Sequence, residues 1–144
     1  MIALDTNILV YAHRRDAEWH VPAAERVALV AEGLVPWAIP WPCIHEFFSI
    51  ATNPRIYNPP SKAAEAIRQI EFWMESPTLR LIGETEGHWP ALKGLLLRGK
   101  IVGPAVHDAR IAAICIAHGI QELWSADRDF SRLSGLTVRN PLLT

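Results

Sequence analysis

The sequence predicts an α/β domain, a three-layer α/β/α sandwich in which helices cover both faces of a central, mainly parallel sheet. Short apolar segments typical of buried strands alternate along the chain with longer segments typical of helices. The length of 144 residues suits one domain, and no repeat or low-complexity linker divides the chain, so we expect residues 1–144 to form a single domain. Ligands of such sheets bind beyond the carboxyl ends of the strands.

The first elements are predicted from an apolar run and from breaker residues. Ile2, Ala3 and Leu4 form a strand whose two faces are both apolar, and a turn and short helix follow over 7–13. A second helix is predicted over 22–32, because Pro22 suits a first helical turn and Gly33 stops a helix.

The middle of the chain predicts one strand and two helices. Their ranges are a strand over 37–39, an apolar helix over 43–51 and a helix over 61–75. Ser61 is suited to cap the last of these helices. Its buried stripe is predicted to contain Ala63, Ile67, Ile70 and Met74.

The last third of the chain completes the alternation. The predicted elements are a strand over 79–82, a helix over 86–98, a loop over 100–103, a helix over 104–118, a strand over 122–125 and a strand over 136–138. Gly99 and Gly119 close the two helices, as glycine commonly does after a last helical turn.

The charge balance excludes a protein that coats nucleic acid by bulk electrostatics. Fourteen Lys and Arg face fifteen Asp and Glu, so any nucleic-acid function needs a local site. Cys43 and Cys115 form no CxxC pair and are expected to be buried thiols in a reducing cytoplasm. No apolar run approaches the ~20 residues of a membrane span, and the N-terminus lacks the basic region of a signal peptide, so we expect no membrane association.

Four carboxylates stand where acids are unusual. Asp5 and Asp127 follow predicted strands, where an open sheet places its chemistry, although each could simply cap the next turn. Glu46 interrupts an apolar helix, which puts it either at an exposed edge or inside a site. Asp108 begins an apolar helical stripe near a helix N-terminus. We expect these four acids to converge at one end of the sheet.

Converging carboxylates would repel one another unless a cation neutralised them. Oxygen ligands without Cys or His suit the hard ions Mg²⁺ or Mn²⁺, and the six histidines share no metal-ligand spacing. Bound metal can generate hydroxide and stabilise a phosphodiester transition state, which requires no nucleophilic side chain. The sequence contains no GxSxG motif, Walker loop or dinucleotide glycine fingerprint.

These residues, taken in order, resemble the PIN-domain family. Asp-Thr-Asn-Ile-Leu-Val-Tyr-Ala over 5–12 is similar to the family's opening motif. Glu46 in a helix, Asp108 opening a later helix and the Ser-Ala-Asp-Arg-Asp-Phe stretch over 125–130 complete the family's order and spacing. The compact size and this last motif resemble the VapC-type toxins of bacterial toxin–antitoxin pairs.

The resemblance implies a Mg²⁺- or Mn²⁺-dependent endoribonuclease that acts on tRNA or other structured RNA. It also implies a homodimer and a cognate antitoxin that inserts a peptide near the acidic site. Matched by position, the catalytic and metal-binding acids are Asp5, Glu46, Asp108 and Asp127. Asn7 and Ser125 orient ligands or waters, and Asp129 either caps a turn or shares the role of Asp127.

Basic residues near the expected mouth of the site are candidates for holding RNA. They are Arg14, Arg15, Lys100, Arg110 and Arg128. Two other functions stay open. An aspartyl phosphatase would use Asp5 as its nucleophile, although that class usually carries an Asp two residues later, where this chain has Asn7. A catalytically inactive interaction module on the same scaffold is the third possibility.

Overall fold

The computed structural model describes residues 1–143, and its centre is one five-stranded sheet. The strands are β1 (Ile2–Leu4), β2 (Trp37–Pro40), β3 (Leu79–Ile82), β4 (Glu122–Trp124) and β5 (Thr137–Arg139). Their order is β3-β2-β1-β4-β5, and every pairing between them is parallel. The predicted sheet is therefore confirmed, and all of its carboxyl ends lie at one edge.

Six α-helices flank this sheet within the described part of the chain, which confirms the α/β/α sandwich. They are α1 (Thr6–His13), α2 (His20–Ala31), α3 (Trp41–Ala51), α4 (Ala63–Met74), α5 (His88–Arg98) and α6 (Val106–Ala117). Short 3-10 turns occupy Gly103–Ala105, Arg128–Arg132 and Pro141–Leu143. The predicted boundaries agree to within two residues, and α6 begins at Val106 rather than at residue 104 because a 3-10 turn precedes it.

The hydrophobic core lies on both sides of the central strands. All four residues of β2 are buried, as expected for a parallel strand that is covered on both faces. In α6, the five consecutive residues from Ile111 to Cys115 are at most 2% exposed. Because a helix buried on every side needs apolar residues all round, α6 has no separate polar face over this stretch.

The predicted buried stripe of α4 is wrong. Ile67 and Met74 are 47% and 40% exposed, whereas Ala66 and Trp73 are buried. Trp73 packs edge-to-face on Phe47 with ring centroids 4.8 Å apart. Burial of this large aromatic ring removes more apolar surface from water than burial of the smaller side chains, so it stabilises the observed rotation of the helix more strongly.

The predicted helix cap at Ser61 is also wrong. Lys62 occupies the N-cap position of α4, and its backbone N–H donates to the Glu65 side chain. The Ser61 hydroxyl instead lies against the His13 ring nitrogen Nε2 and accepts from Arg14. Ser61 therefore joins the start of α4 to the end of α1. Among the described residues, no helix combines the length and apolar character that a membrane crossing needs.

Candidate active site

The parallel pairing of β1 and β4 brings Asp5 and Ser125 together. Leu4 lies opposite Trp124 in the register, and the Asp5 N–H donates to the Trp124 carbonyl at 2.9 Å. Asp5 and Ser125, which directly follow these two strands, therefore lie next to each other at the carboxyl edge of the sheet. The Ser125 hydroxyl donates to Asp5 Oδ2 at 2.7 Å.

Asp5 is held by donors on several sides. Its Oδ1 accepts from the Thr6 N–H at 2.8 Å and from the Cys43 thiol at 3.6 Å. Its Oδ2 also accepts from the Asn7 side-chain amide at 3.4 Å. The carboxylate is the N-cap of α1 and only 4% exposed. Burial raises the pKa of Asp5 to about 6, although the hydrogen bonds from Ser125 and Thr6 lower it.

Asn7 and Ser125 connect this residue to the loop after β4. The Asn7 Oδ1 accepts from the Ala126 N–H at 3.1 Å. The Ser125 hydroxyl oxygen accepts from the Asp127 N–H at 3.0 Å. The two side chains thus join the loop that carries Asp127 to the first turn of α1.

Glu46 lies on α3 and is exposed, which places it at the mouth of the site rather than in its floor. The Thr6 hydroxyl donates to Glu46 Oε2 at 3.4 Å. The charge of Glu46 raises the pKa of both Asp5 and Asp108, so it acts on the other acids. Glu46 is therefore an exposed residue at the edge of α3, and its carboxylate lies beside Thr6.

Three carboxylates form the other side of the site. Asp108, Asp127 and Asp129 each offer an oxygen, and these oxygens lie within 4.8 Å of one another. Burial, followed by the charge of Asp127, raises the pKa of Asp108 to about 7. Asp127 also accepts from the Asp129 N–H at 2.8 Å and caps the 3-10 turn. Capping and clustering therefore occur together at this residue.

The donor set suits a hard divalent cation. Asp108, Asp127 and Asp129 all offer carboxylate oxygens, and such ligands favour Mg²⁺ or Mn²⁺ over softer metals. The charges of Asp5, Glu46 and Asp127 all raise the pKa of Asp108, so the other three predicted acids lie within electrostatic reach of Asp108. The tight cluster contains Asp129 as well and leaves Asp5 and Glu46 outside it.

Sequence reasoning missed two residues of this site. Thr6 is buried and contacts both Asp5 and Glu46, and its position inside the opening motif was the available signal. Cys43 is fully buried, as predicted, but its thiol donates to Asp5. Burial and the charge of Asp5 raise the pKa of this thiol well above its usual value, so it stays protonated as a donor. Its spacing from Glu46, one helical turn, was the signal.

The candidate RNA-binding cations have different surroundings. Arg14 is engaged by Asp16, by the Pro59 carbonyl and by the Tyr57 ring, so it stabilises its own loop. Arg110 forms an ion pair with Glu84. The remaining three cations, which are exposed, are Arg15, Lys100 and Arg128. Arg128 lines a cavity of about 480 Å³ together with Ser125 and Asp127.

The parallel sheet and the acids at its carboxyl edge match a known class of domain. The model of the PIN domain family matches residues 2–136. The chain therefore belongs to the PIN-domain family, as the resemblance implied.

Proteins similar to this chain include ribonucleases of the VapC type. The chain is 32% identical over 139 residues to ribonuclease VapC48 of Mycobacterium tuberculosis, covering 95% of this chain and 94% of that protein. It is also similar in fold to VapBC2 of Rickettsia felis, solved bound to a promoter DNA fragment, with a TM-score of 0.69, 21% identity and coverage of 96% and 98%. A third similar structure is VapC20 of M. tuberculosis, a toxin that cleaves the sarcin–ricin loop, with a TM-score of 0.70, 18% identity and coverage of 95% and 97%.

Proposed function

We propose that the chain is a divalent-metal-dependent endoribonuclease, the toxin of a bacterial toxin–antitoxin pair, which hydrolyses phosphodiester bonds in tRNA or other structured RNA. The observation that carries this function is the cluster of Asp108, Asp127 and Asp129 beside the buried Asp5 in a PIN domain. The relationship to ribonuclease VapC48 supports the same activity.

Asp5, Glu46, Asp108 and Asp127 are proposed to hold Mg²⁺ or Mn²⁺. The bound ion would supply a hydroxide at neutral pH and stabilise the charge of the phosphodiester transition state. Asp5, with a pKa of about 6, is mostly ionised at pH 7 and is fixed by its hydrogen bonds in one orientation. Asp108, with a pKa of about 7, is partly protonated at neutral pH, and a bound cation would favour its ionised form.

The RNA is proposed to approach across the acidic mouth. Arg128 borders the loop that carries Asp127, and Arg15 and Lys100 are exposed cations that can meet flanking phosphates. Arg110 can contribute one edge of its guanidinium while Nε binds Glu84. Arg14, tied down by Asp16, is the weakest member of the predicted set.

The partners are proposed to be a cognate antitoxin and a second copy of the chain, in the cytoplasm. A structure of similar fold from Klebsiella pneumoniae is a toxin–antitoxin complex, which supports an antitoxin partner for this chain. A groove of about 710 Å³ between α2 and α4 offers the antitoxin an apolar surface, in which Leu34 and Phe72 are 95% and 66% exposed.

The proposal is tested with purified protein and total tRNA. Cleavage is expected with Mg²⁺, is expected to stop with EDTA, and is expected to return when excess Mn²⁺ is added. Asp108→Asn should abolish it, whereas Asp16→Asn, at an exposed carboxylate paired with Arg14, should leave it unchanged. Sequencing of the RNA ends then gives the bond that is cut. Full activity in EDTA would overturn the metal-dependent mechanism.

The two other functions predict different results. A phosphatase would use Asp5 as a nucleophile, but this carboxylate is 4% exposed and both of its oxygens accept hydrogen bonds. Covalent phosphorylation of Asp5 by a phosphate ester would support that alternative. An inactive interaction module would show no heat of Mg²⁺ binding by calorimetry and no cleavage of RNA.

A further inference from the structure

A second cavity opens beside the acidic mouth, between α3 and α6. Its volume is about 470 Å³, which is within the range of pockets that hold small ligands. The lining residues are Pro42, His45, Glu46, Ser49, His107, Arg110 and Ile111. Glu46 lines this cavity and also lies beside the acidic site, so the two adjoin at this residue.

An aromatic surface lies at the edge of the cavity. The rings of Trp41 and His45 are 6.3 Å apart at an angle of 32°, so they present neighbouring faces on the first turns of α3. Trp41 is 40% exposed, although an indole of this size is usually buried in a core or an interface. An exposed ring beside a pocket is the arrangement that stacks on an unpaired base.

Hydrogen-bond donors lie on the other wall. His107 is exposed, and Arg110 donates its Nε–H to Glu84, so the ion pair uses one of its three nitrogens. Imidazole and guanidinium groups bind phosphate oxygens, and Arg does so in a planar geometry. The Ser49 hydroxyl adds a group that can meet a base edge or a 2′-hydroxyl.

We propose that this cavity binds the nucleotide next to the scissile phosphate, with its base stacked on Trp41 and its phosphate facing His107 and Arg110. The inference rests on the proposed ribonuclease function and adds a binding site for one flanking nucleotide to it. Trp41 is then a specificity-determining residue, because it selects bases by stacking while the acids perform the chemistry.

The test compares Trp41→Ala with Trp41→Phe, and with Trp89→Ala as a matched control. Trp41 adjoins the cavity through its ring contact with the lining residue His45, whereas Trp89 is 61% exposed on α5, outside the cavity lining. Because stacking on an aromatic ring contributes roughly one order of magnitude to base binding, Trp41→Ala should raise KM about tenfold and leave kcat nearly unchanged. Trp41→Phe should restore most of the loss, and Trp89→Ala should match wild type.

A second readout separates this inference from the ribonuclease activity. Binding of a fluorescein-labelled, single-stranded octanucleotide is measured by anisotropy in the Asp108→Asn background, where no cleavage is expected. Addition of Trp41→Ala should weaken this binding about tenfold, and the base preference next to the cut should broaden in the active protein. If the wild-type protein cleaves no RNA but its octanucleotide binding still depends on Trp41, the ribonuclease function is overturned and the nucleotide-binding site is supported.

Three outcomes would overturn the subsite. The first is a KM and cut-site profile for Trp41→Ala that match those of Trp89→Ala. The second is conversion of a dimer to a monomer by Trp41→Ala in sedimentation, with unchanged RNA affinity per chain, which would make this surface a subunit interface. The third applies if Trp41→Ala does not fold: His45→Ala, at an exposed position, should then weaken octanucleotide binding about threefold, and no change would reject the proposal.

Discussion

The two sides of the acidic site are built differently. Asp5 is almost fully buried, and its two oxygens accept from a backbone N–H, a hydroxyl, an amide and a thiol. Asp108 is only half-buried, and its strongest electrostatic neighbour is another acid, Asp127. Folding therefore fixes the Asp5 side without any ligand, whereas the Asp108 side carries repulsion that a cation would relieve.

Asp5→Asn is the substitution with the largest expected effect on activity. Replacement of a residue that merely orients a metal ligand costs about 10–100-fold in affinity or activity, so loss of a ligand should reduce kcat/KM by more than about a hundredfold. The fold should persist, because an amide can still accept from the Thr6 N–H and no buried charge remains. Cleavage of tRNA and circular dichroism measure the two effects.

The control for Asp5→Asn is a carboxylate outside the site that is also held by a neighbour. Glu65 serves, because its side chain accepts from the Lys62 N–H at the start of α4. Glu65→Gln should change kcat/KM less than about threefold, because an amide oxygen can still accept that hydrogen bond. Retention of a tenth or more of wild-type activity by Asp5→Asn would show that Asp5 is a structural cap alone.

Ser125→Ala tests whether the Asp5 side depends on its orienting residue. The hydroxyl donates to the buried Asp5 carboxylate and accepts from the part-buried Asp127 N–H, so its removal takes a partner from both groups and should cost about 1–3 kcal/mol of stability. Activity should fall about 10–100-fold. The pKa of Asp5 should rise further, since this hydrogen bond lowers it, and the acid limb of the pH–rate profile should move to higher pH. Ser134→Ala, at an exposed serine, is the control.

Asp127→Asn and Asp129→Asn sharpen the description of the Asp108 side. Asp127 is half-buried and its charge raises the pKa of Asp108, whereas Asp129 is exposed and contacts Asp127 through its backbone. We expect Asp127→Asn to reduce kcat/KM about tenfold more than Asp129→Asn, because a partly buried ligand is better positioned than an exposed one. The opposite order would make Asp129 the fourth acid.

The parts of this molecule that sequence could predict share a local cause. The strand that ends at Asp5 and the helix that begins near Asp108 follow from apolar runs and breaker residues, which act over a few positions. Convergence of these acids follows from one rule about the carboxyl edge of parallel sheets. The site positions of Asn7 and Ser125 depended on resemblance, since no spacing pattern specifies an orienting hydroxyl or amide.

The features that sequence could not predict depend on tertiary contacts. The rotation of α4 is determined by Trp73 meeting Phe47, two residues far apart in the chain. The hydrogen bond from the Cys43 thiol to Asp5 depends on where α3 lies relative to the end of β1. A buried cysteine ordinarily acts only as a small apolar residue. Likewise, the engagement of Arg14 by the Tyr57 ring and the Pro59 carbonyl cannot be read from a basic residue in a loop.

The smallest expected effect is the pH dependence of stability, which separates the two sides without any substrate. Both carboxyl groups have folded-state pKa values above the usual 3.8, about 6 for Asp5 and about 7 for Asp108. The folded protein therefore binds more protons than the unfolded chain, and metal-free stability should fall as pH rises from about 4 to about 7. Asp5→Asn should remove its own share of the fall, about half of the slope between pH 4 and pH 6, and leave the share of Asp108 up to pH 7. Asp108→Asn should also reduce the slope between pH 4 and pH 6, and it should flatten the part between pH 6 and pH 7. Addition of Mg²⁺ should raise the Tm by about 2–4 °C at pH 8 in wild type and less in Asp108→Asn, as measured by differential scanning calorimetry. A metal-free Tm that rises steadily over this pH range in wild type would contradict the buried, mutually repelling arrangement of these acids.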